Sequence, residues 1–282
     1  MNNFIKTHLE VLHEKNFTDP VIELRALLNK TSILKKEIIL TNFNINQINL
    51  NLFQSAFERR IKMEPLAKIF KEKEFWKYNF AVNENVLDPR PESELLIEAV
   101  EKYFQNKKQK LKIIDIGTGS GCLAVSLAME YKNSMITATD ISKSALDVAK
   151  KNSKKFNVCE QIKFKYCNWF ETKENFDVVV TNPPYLTNNE YNNLSKEIKL
   201  YEPKIALRGG KDGLSCFREI AYKIQKITHF KSLCFVEIGY NQKDKCIKIF
   251  EEFDMYCTDI IVDYQNYERI LVFKKKYQIK ID

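Results

Sequence analysis

Asn182, Pro183, Pro184 and Tyr185 follow directly on the apolar run FDVVVT, and together these residue types can act on a planar nitrogen. A residue before proline is pushed into an extended conformation, so Asn182 leaves a strand without entering a helix. Two prolines stiffen the loop and remove two backbone donors, which leaves a concave rim of carbonyl acceptors. Such a rim suits a substrate with N–H bonds to donate. An NH2 on a planar carbon is a poor nucleophile because its lone pair is delocalised. If the Asn182 side-chain oxygen and the Pro183 carbonyl each take one N–H, the nitrogen is oriented and its developing positive charge is stabilised. Pro184 completes the rim, and Tyr185 can stack on a flat substrate. No general base is needed, since the product cation is acidic enough to lose its proton to water. The loop alone does not choose between an exocyclic base nitrogen and a side-chain amide.

A second constellation is the stretch DIGTGSG, in which Asp115 precedes Gly117, Thr118, Gly119, Ser120 and Gly121 between a strand-like and a helix-like segment. Glycines there let the backbone turn tightly and approach a ligand, at the point where open parallel sheets bind cofactors. A dinucleotide fingerprint starting at Gly117 would need glycine at 122, where the chain has Cys122. The spacing D-x-G-x-G-x-G resembles the cofactor loop of S-adenosylmethionine-dependent methyltransferases. Asp140 ends the next strand-like run, where an ionised carboxylate can accept from both ribose hydroxyls. The third such run ends in YCNWF, where Asn168 can accept from an adenine amino group and Trp169 can pack on the base.

These residues need a frame to bring them together. Strand-like LKIIDI, MITATD, IKFKYC, FDVVV and LCFVEIG are interleaved with helix-like CLAVSLAMEY, SALDVAKKN and GLSCFREIAYKIQ, which predicts a parallel sheet with helices on both faces. The run MYCTDIIVDYQNYERILVFKK holds two strand-like pieces with a turn near Gln265 and Asn266, so the sheet should end in an antiparallel pair. The spacing in RPESELLIEAVEKYF predicts a helix with Ser93 as its cap and Leu96, Ile97, Val100 and Phe104 as its stripe. Residues 1–75 are helical in pattern and free of glycine. Asp19-Pro20 signals a helix start, with Val21, Leu24 and Leu28 on one face. Phe53, Ala56, Phe57, Arg60 and Ile61 mark another helix, and Pro65 starts a third. Residues 76–90 read as a β-hairpin linker, with Trp76, Tyr78, Phe80 and Val82 alternating and a turn at Asn83 to Asn85. The methyltransferase-like domain then occupies 91–282.

Composition bounds the rest. A chain of 282 residues exceeds one ordinary domain. The first twenty residues carry His8, Glu10, His13, Glu14, Lys15 and Asp19 where a secretory signal needs an apolar run, and no uninterrupted apolar stretch is long enough to span a bilayer, so a cytoplasmic location and no membrane partner are expected. Seven cysteines without a C-x-x-C pair argue against a disulfide framework or a zinc cage, and are read as reduced and mostly buried. No metal is expected. The formal charge of +8 is spread along the chain, clustering only at QNKKQK and VFKKKYQIK, so a dedicated nucleic-acid face is not expected.

The whole set of segments resembles the release factor glutamine methyltransferases. ERRIKMEPLAKIF and EFW are similar to that family's junction between helical domain and hairpin, and DPRPESELL, DIGTGSG, NWF, NPPY, YEPKIAL, GGKDGL and DYQNYERI follow in its order. The resemblance runs from about Glu58 onward. It implies a class I, Rossmann-like α/β methyltransferase fold and methylation of the glutamine amide of a Gly-Gly-Gln motif in peptide chain release factors, with S-adenosylmethionine as cofactor. It also implies that Asn182 and Pro183 hold the amide, with Tyr185 lining the pocket. Gly117 to Gly121, Asp140, Trp169 and Asn182 would contact the cofactor, and the helical domain of a monomeric enzyme would grip the factor. Asn168 stands where the family has Asp, Asp88 where it has an aliphatic residue, and Lys71 where glycine is common. Three other readings compete: a nucleic-acid amino methyltransferase, a ribosomal-protein glutamine methyltransferase, and a cofactor-binding scaffold without catalysis.

Overall fold

The computed structural model describes residues 2–34, 37–170 and 172–276. The end of the basic run VFKKKYQIK, from residue 277, lies outside them. Two compact units divide the chain, Met1–Lys71 and Glu72–Asp282. The sequence reading put that division after residue 75. It falls earlier because the first strand already begins at Glu72 and pairs within the larger unit.

The smaller unit holds α1 (Asn3–Glu14), α2 (Pro20–Thr31), α3 (Leu50–Arg60) and α4 (Leu66–Phe70). Asp19 caps α2 as expected, its Oδ1 accepting from the Ile22 N–H at 3.0 Å. Leu24, Leu27 and Leu28 are buried, whereas Val21 is 49% exposed, so the buried stripe starts a turn later than expected. In α3, Phe53, Ala56, Phe57 and Arg60 are buried, and the Arg60 guanidinium meets the Glu23 carboxylate through bonds of 2.8 and 2.9 Å. Lys71 closes α4 with φ of 56°, a left-handed conformation that favours glycine, which accounts for the residue type common at this position in the resembling family.

In the larger unit β1 (Glu72–Phe75) and β2 (Tyr78–Ala81) form the hairpin. Its reversal lies at Trp76 and Lys77, not at Asn83 to Asn85, which make a separate turn further on. Trp76 sits at φ of 55° and is held there by tertiary bonds, from its N–H to Glu94 and from its ring Nε1 to Glu130. There follow α5 (Glu94–Tyr103), β3 (Lys112–Ile116), α6 (Cys122–Glu130), β4 (Met135–Asp140), α7 (Lys143–Lys155), β5 (Ile162–Tyr166) and β6 (Phe176–Thr181). After β6 come α8 (Asn188–Asn193), α9 (Lys196–Tyr201), α10 (Ser215–Ile227), β7 (Thr228–Glu237), α11 (Lys243–Glu251), β8 (Met255–Val262) and β9 (Glu268–Lys275).

The seven-stranded sheet runs β5-β4-β3-β6-β7-β9-β8, parallel except for β9 against β7 and β8 against β9. This is the parallel sheet with an antiparallel end that the alternation predicts, and the turn between β8 and β9 is tied by Asp263, whose Oδ1 accepts from the N–H of Gln265 and Tyr267. Side chains alternate between two cores: Ile113, Val178, Val180 and Phe235 pack on one face, and Ile114, Val179, Cys234 and Val236 on the other. Burial on both faces is why these strands read as continuous apolar runs. The strand order reverses between β3 and β6, and the crevice at such a reversal collects the loops following β3, β4, β5 and β6 at one edge. All seven cysteines are free, and only Cys234 and Cys246 are fully buried, fewer than expected. Among the described residues, no helix is long and apolar enough to cross a membrane.

Candidate active site

At that edge lies a cavity of about 250 Å³. Gly117, Thr118, Gly119 and Ser120 from the loop after β3 line it, together with Asp140 at the end of β4, Asn168 and Trp169 after β5, and Asn182 and Pro184 after β6. Four loops, from Gly117 in the first to Pro184 in the last, therefore converge. The space over the α-carbons of Gly117 and Gly119 is open, so a ligand can approach the backbone there. Asp140 accepts the Gly119 N–H at 2.9 Å and the Ser142 N–H at 2.8 Å, and its carboxylate holds the glycine loop while still facing the cavity. Burial raises its pKa, against the pull of the Ser142, Gly119 and Ile141 N–H groups. The exposed Asn168 offers its side chain, and Trp169 is fixed by a 2.7 Å bond from its ring nitrogen to Glu219. Carboxylate, amide acceptor, indole and bare backbone are a donor set that fits a nucleoside cofactor.

Three residues of the predicted set stand elsewhere. Asp115 is fully buried and does not line the cavity; it accepts from the Thr118 hydroxyl at 2.6 Å and so shapes the loop from behind. Burial pushes its carboxyl up to about 7. Gly121 turns the chain into α6 at φ of 79° and does not line the cavity; a Cβ there would stand 2.9 Å from that of Ala149, so the close packing of the helix admits no side chain. Pro183 is buried and lines neither this cavity nor the next.

A second cavity of about 240 Å³ adjoins the first. Tyr185, Leu194, Ile198, Glu237 and Arg269 line it, and Asn182 lines both cavities, along with Leu87, Arg90 and Ala206. The Asn182 Nδ2 donates to Ser93 Oγ at 2.9 Å, so Oδ1 is the atom left to accept from a ligand. Burial pushes the Tyr185 phenol up to about 12, which keeps it neutral and suited to packing against a flat group.

The structure also brings in residues that the motif reading did not assign. Glu202, buried within YEPKIAL, accepts from Arg90 at 3.1 Å and from the Asp88 N–H at 3.2 Å, which ties down the DPR segment lining the first cavity. Asp88 thus belongs to the cavity wall and not to the hairpin. A lone acid within an otherwise apolar or proline-rich stretch was the available signal. GGKDGL backs the Asn-Pro-Pro-Tyr loop: Gly209 N–H donates to Leu186 at 2.8 Å, and Gly213, at φ of 75°, leaves so little room that a Cβ would stand 2.4 Å from the Tyr185 carbonyl oxygen. Gly213→Ala is accordingly expected to cost about 2 to 4 kcal/mol through strain and overpacking, seen as a lower urea midpoint at unchanged m-value. An unchanged midpoint would show that this backing is dispensable.

Comparison with known proteins agrees with this geometry. Residues 84–207 match the methyltransferase small domain. A release factor glutamine methyltransferase of Buchnera aphidicola is 33% identical over 93% of this chain and 95% of its own. A bifunctional methyltransferase of Rickettsia bellii is 34% identical over 96% of this chain but 54% of its own, and the chain spans about half the length of such relatives. Among solved structures, the hMettl16 catalytic domain, crystallised with a MAT2A 3′UTR hairpin, superposes with a TM-score of 0.56 at 15% identity, covering 86% of this chain and 89% of that one. The ribosomal protein L11 methylase of Lactobacillus delbrueckii does so at 0.50 and 16%, covering 67% and 83%. At such identities these two establish the methyltransferase fold alone.

Proposed function

Since the chain belongs to the release factor glutamine methyltransferase family, we infer that it transfers a methyl group from S-adenosylmethionine to the side-chain amide nitrogen of a glutamine in a peptide chain release factor. The observation that carries this reading is the position of Asn182 in the wall shared by two cavities. One is built of nucleoside-binding groups. The other holds a neutral phenol and carries the amide.

When bound, S-adenosylmethionine supplies a methyl group made electrophilic by its sulfonium. Asp140 takes the ribose hydroxyls, Asn168 accepts from the adenine amino group, and Trp169 packs on the base. Asn182 Oδ1 accepts one N–H of the substrate amide, and Tyr185 confines the amide plane. The nitrogen is thereby held with its lone pair toward the first cavity, and the positive charge it acquires meets an oxygen dipole already in place. The Pro183 carbonyl was the second acceptor in the sequence reading. Its buried position leaves the orienting role chiefly to Asn182. The helical unit, with Val21, Ile22, Leu34, Leu50 and Leu52 exposed, is the part we assign to docking the factor.

The test is to incubate the protein with methyl-tritiated cofactor and, in parallel, release factor, ribosomal RNA and DNA. Label is expected in the release factor, on a single glutamine-containing peptide located by mass spectrometry. Label in nucleic acid, or in none of the three, would overturn the reading.

A further inference from the structure

Ser93 begins α5 in the place of a cap, yet its hydroxyl makes no capping bond. It donates instead to Glu237 Oε2 at 2.6 Å, 144 residues away, while accepting from Asn182 Nδ2 at 2.9 Å. Ser93 and Glu237 are 4% and 2% exposed. Burying a carboxylate is costly unless it is paired, and no ion pair to Glu237 is found among the described residues. The chain nevertheless places this acid at the end of β7, lining the second cavity and within reach, through Ser93, of the Asn182 amide that lines both.

We propose that Glu237 and Ser93 are positioning residues, a two-step relay that sets which end of the Asn182 amide faces the substrate. The reasoning is one of donor and acceptor counting. An ionised carboxylate only accepts, so the single Ser93 proton is committed to it. The Ser93 lone pair must then accept from Asn182, and only the NH2 end of that amide can donate. Oδ1 is left to face the substrate N–H. When Glu237 gains a proton, it can donate to Ser93, whose own proton becomes free to turn to Asn182. The amide then flips, and an NH2 confronts the substrate NH2.

The groups facing Glu237 are Ser93 and Glu92 ahead of α5, Asn182 and Tyr185 after β6, Cys122 at the start of α6, and Arg269 on β9. Burial pushes its carboxyl up to about 7; Arg269, Ser93 and Asn182 oppose this and Glu92 adds to it. The active form is the ionised one. The relay is therefore set above that value and is lost as pH falls through it.

This proposal rests on the amide-binding reading of Asn182, and its test has an arm that needs no substrate. In protein labelled with 15N-asparagine, the Asn182 side-chain resonances, assigned by their loss in Asn182→Ala, are followed from pH 5.5 to 8.5. They should titrate near pH 7 in the wild-type protein, exchange faster with solvent in Ser93→Ala, and lose the titration in Glu237→Gln, whose side-chain oxygen accepts at every pH. In turnover with release factor, kcat should fall about tenfold per pH unit on the acid side. Ser93→Ala should lower kcat by about 3- to 10-fold with KM and cofactor Kd little changed. Glu237→Gln should abolish the acid limb. Resonances that do not titrate in the wild type, or an acid limb that survives in Glu237→Gln, would overturn the relay. Should either variant fail to fold, the wild-type titration decides alone. Titrating resonances without methylation of any release factor would uphold the relay and sink the substrate assignment.

Discussion

Asn182→Ala lowers kcat by about 10²- to 10³-fold, the cost typical of removing one preorganised polar contact to a transition state. Cofactor affinity changes little, because Asp140, Asn168, Trp169 and the backbone of the glycine loop still line the first cavity. KM also moves less than kcat, since the contact strengthens as charge develops on the nitrogen. Single-turnover rates at saturating substrate, with cofactor Kd from calorimetry, separate these quantities. A rate equal to that of the unmodified protein would remove Asn182 from the chemistry.

Asp140→Ala has its effect elsewhere. In the proposed function its carboxylate takes two ribose hydroxyls, and it already accepts the Gly119 and Ser142 N–H groups. Bonds to a charged acceptor are worth about 1.5–3 kcal/mol each. Losing the ribose contacts, and with them the brace of the glycine loop, should raise cofactor Kd by about 10²-fold or more. At saturating cofactor kcat should recover to within a few-fold. A defect confined to kcat, with Kd unaltered, would count against the ribose assignment.

The sheet was legible in the sequence because the central strands, buried on both faces, are short continuous apolar runs such as LKIIDI and FDVVV, and they alternate with longer segments such as SALDVAKKN whose buried residues recur at helical spacing. The two loops that matter most were legible for a related reason. Glycine spacing and an Asn-Pro-Pro run limit backbone conformation locally, and local rules are what a sequence displays. Where the reading missed, a distant partner overrode a local preference. Trp76 is not a turn former, yet it reverses the hairpin because Glu94 and Glu130 hold it. Ser93 has the type and place of a cap, but its hydroxyl donates to a carboxylate 144 residues away. Asp115 and Gly121 sit inside the cofactor motif and serve it from behind, one through Thr118 and the other through contact with Ala149. Glu237 was visible as a lone acid in LCFVEIG, and only the fold shows what it faces.

The central claim is that Asn182 stands between a nucleoside site and an amide site. A crystal structure with S-adenosylhomocysteine and a release-factor peptide containing the glutamine tests it most directly. The account predicts the nucleoside against Asp140 and Trp169, and the glutamine amide beside Tyr185 with one N–H on Asn182 Oδ1. A peptide whose amide lies outside the cavity lined by Tyr185 and Glu237, or a nucleoside bound away from the Gly117 loop, would contradict it.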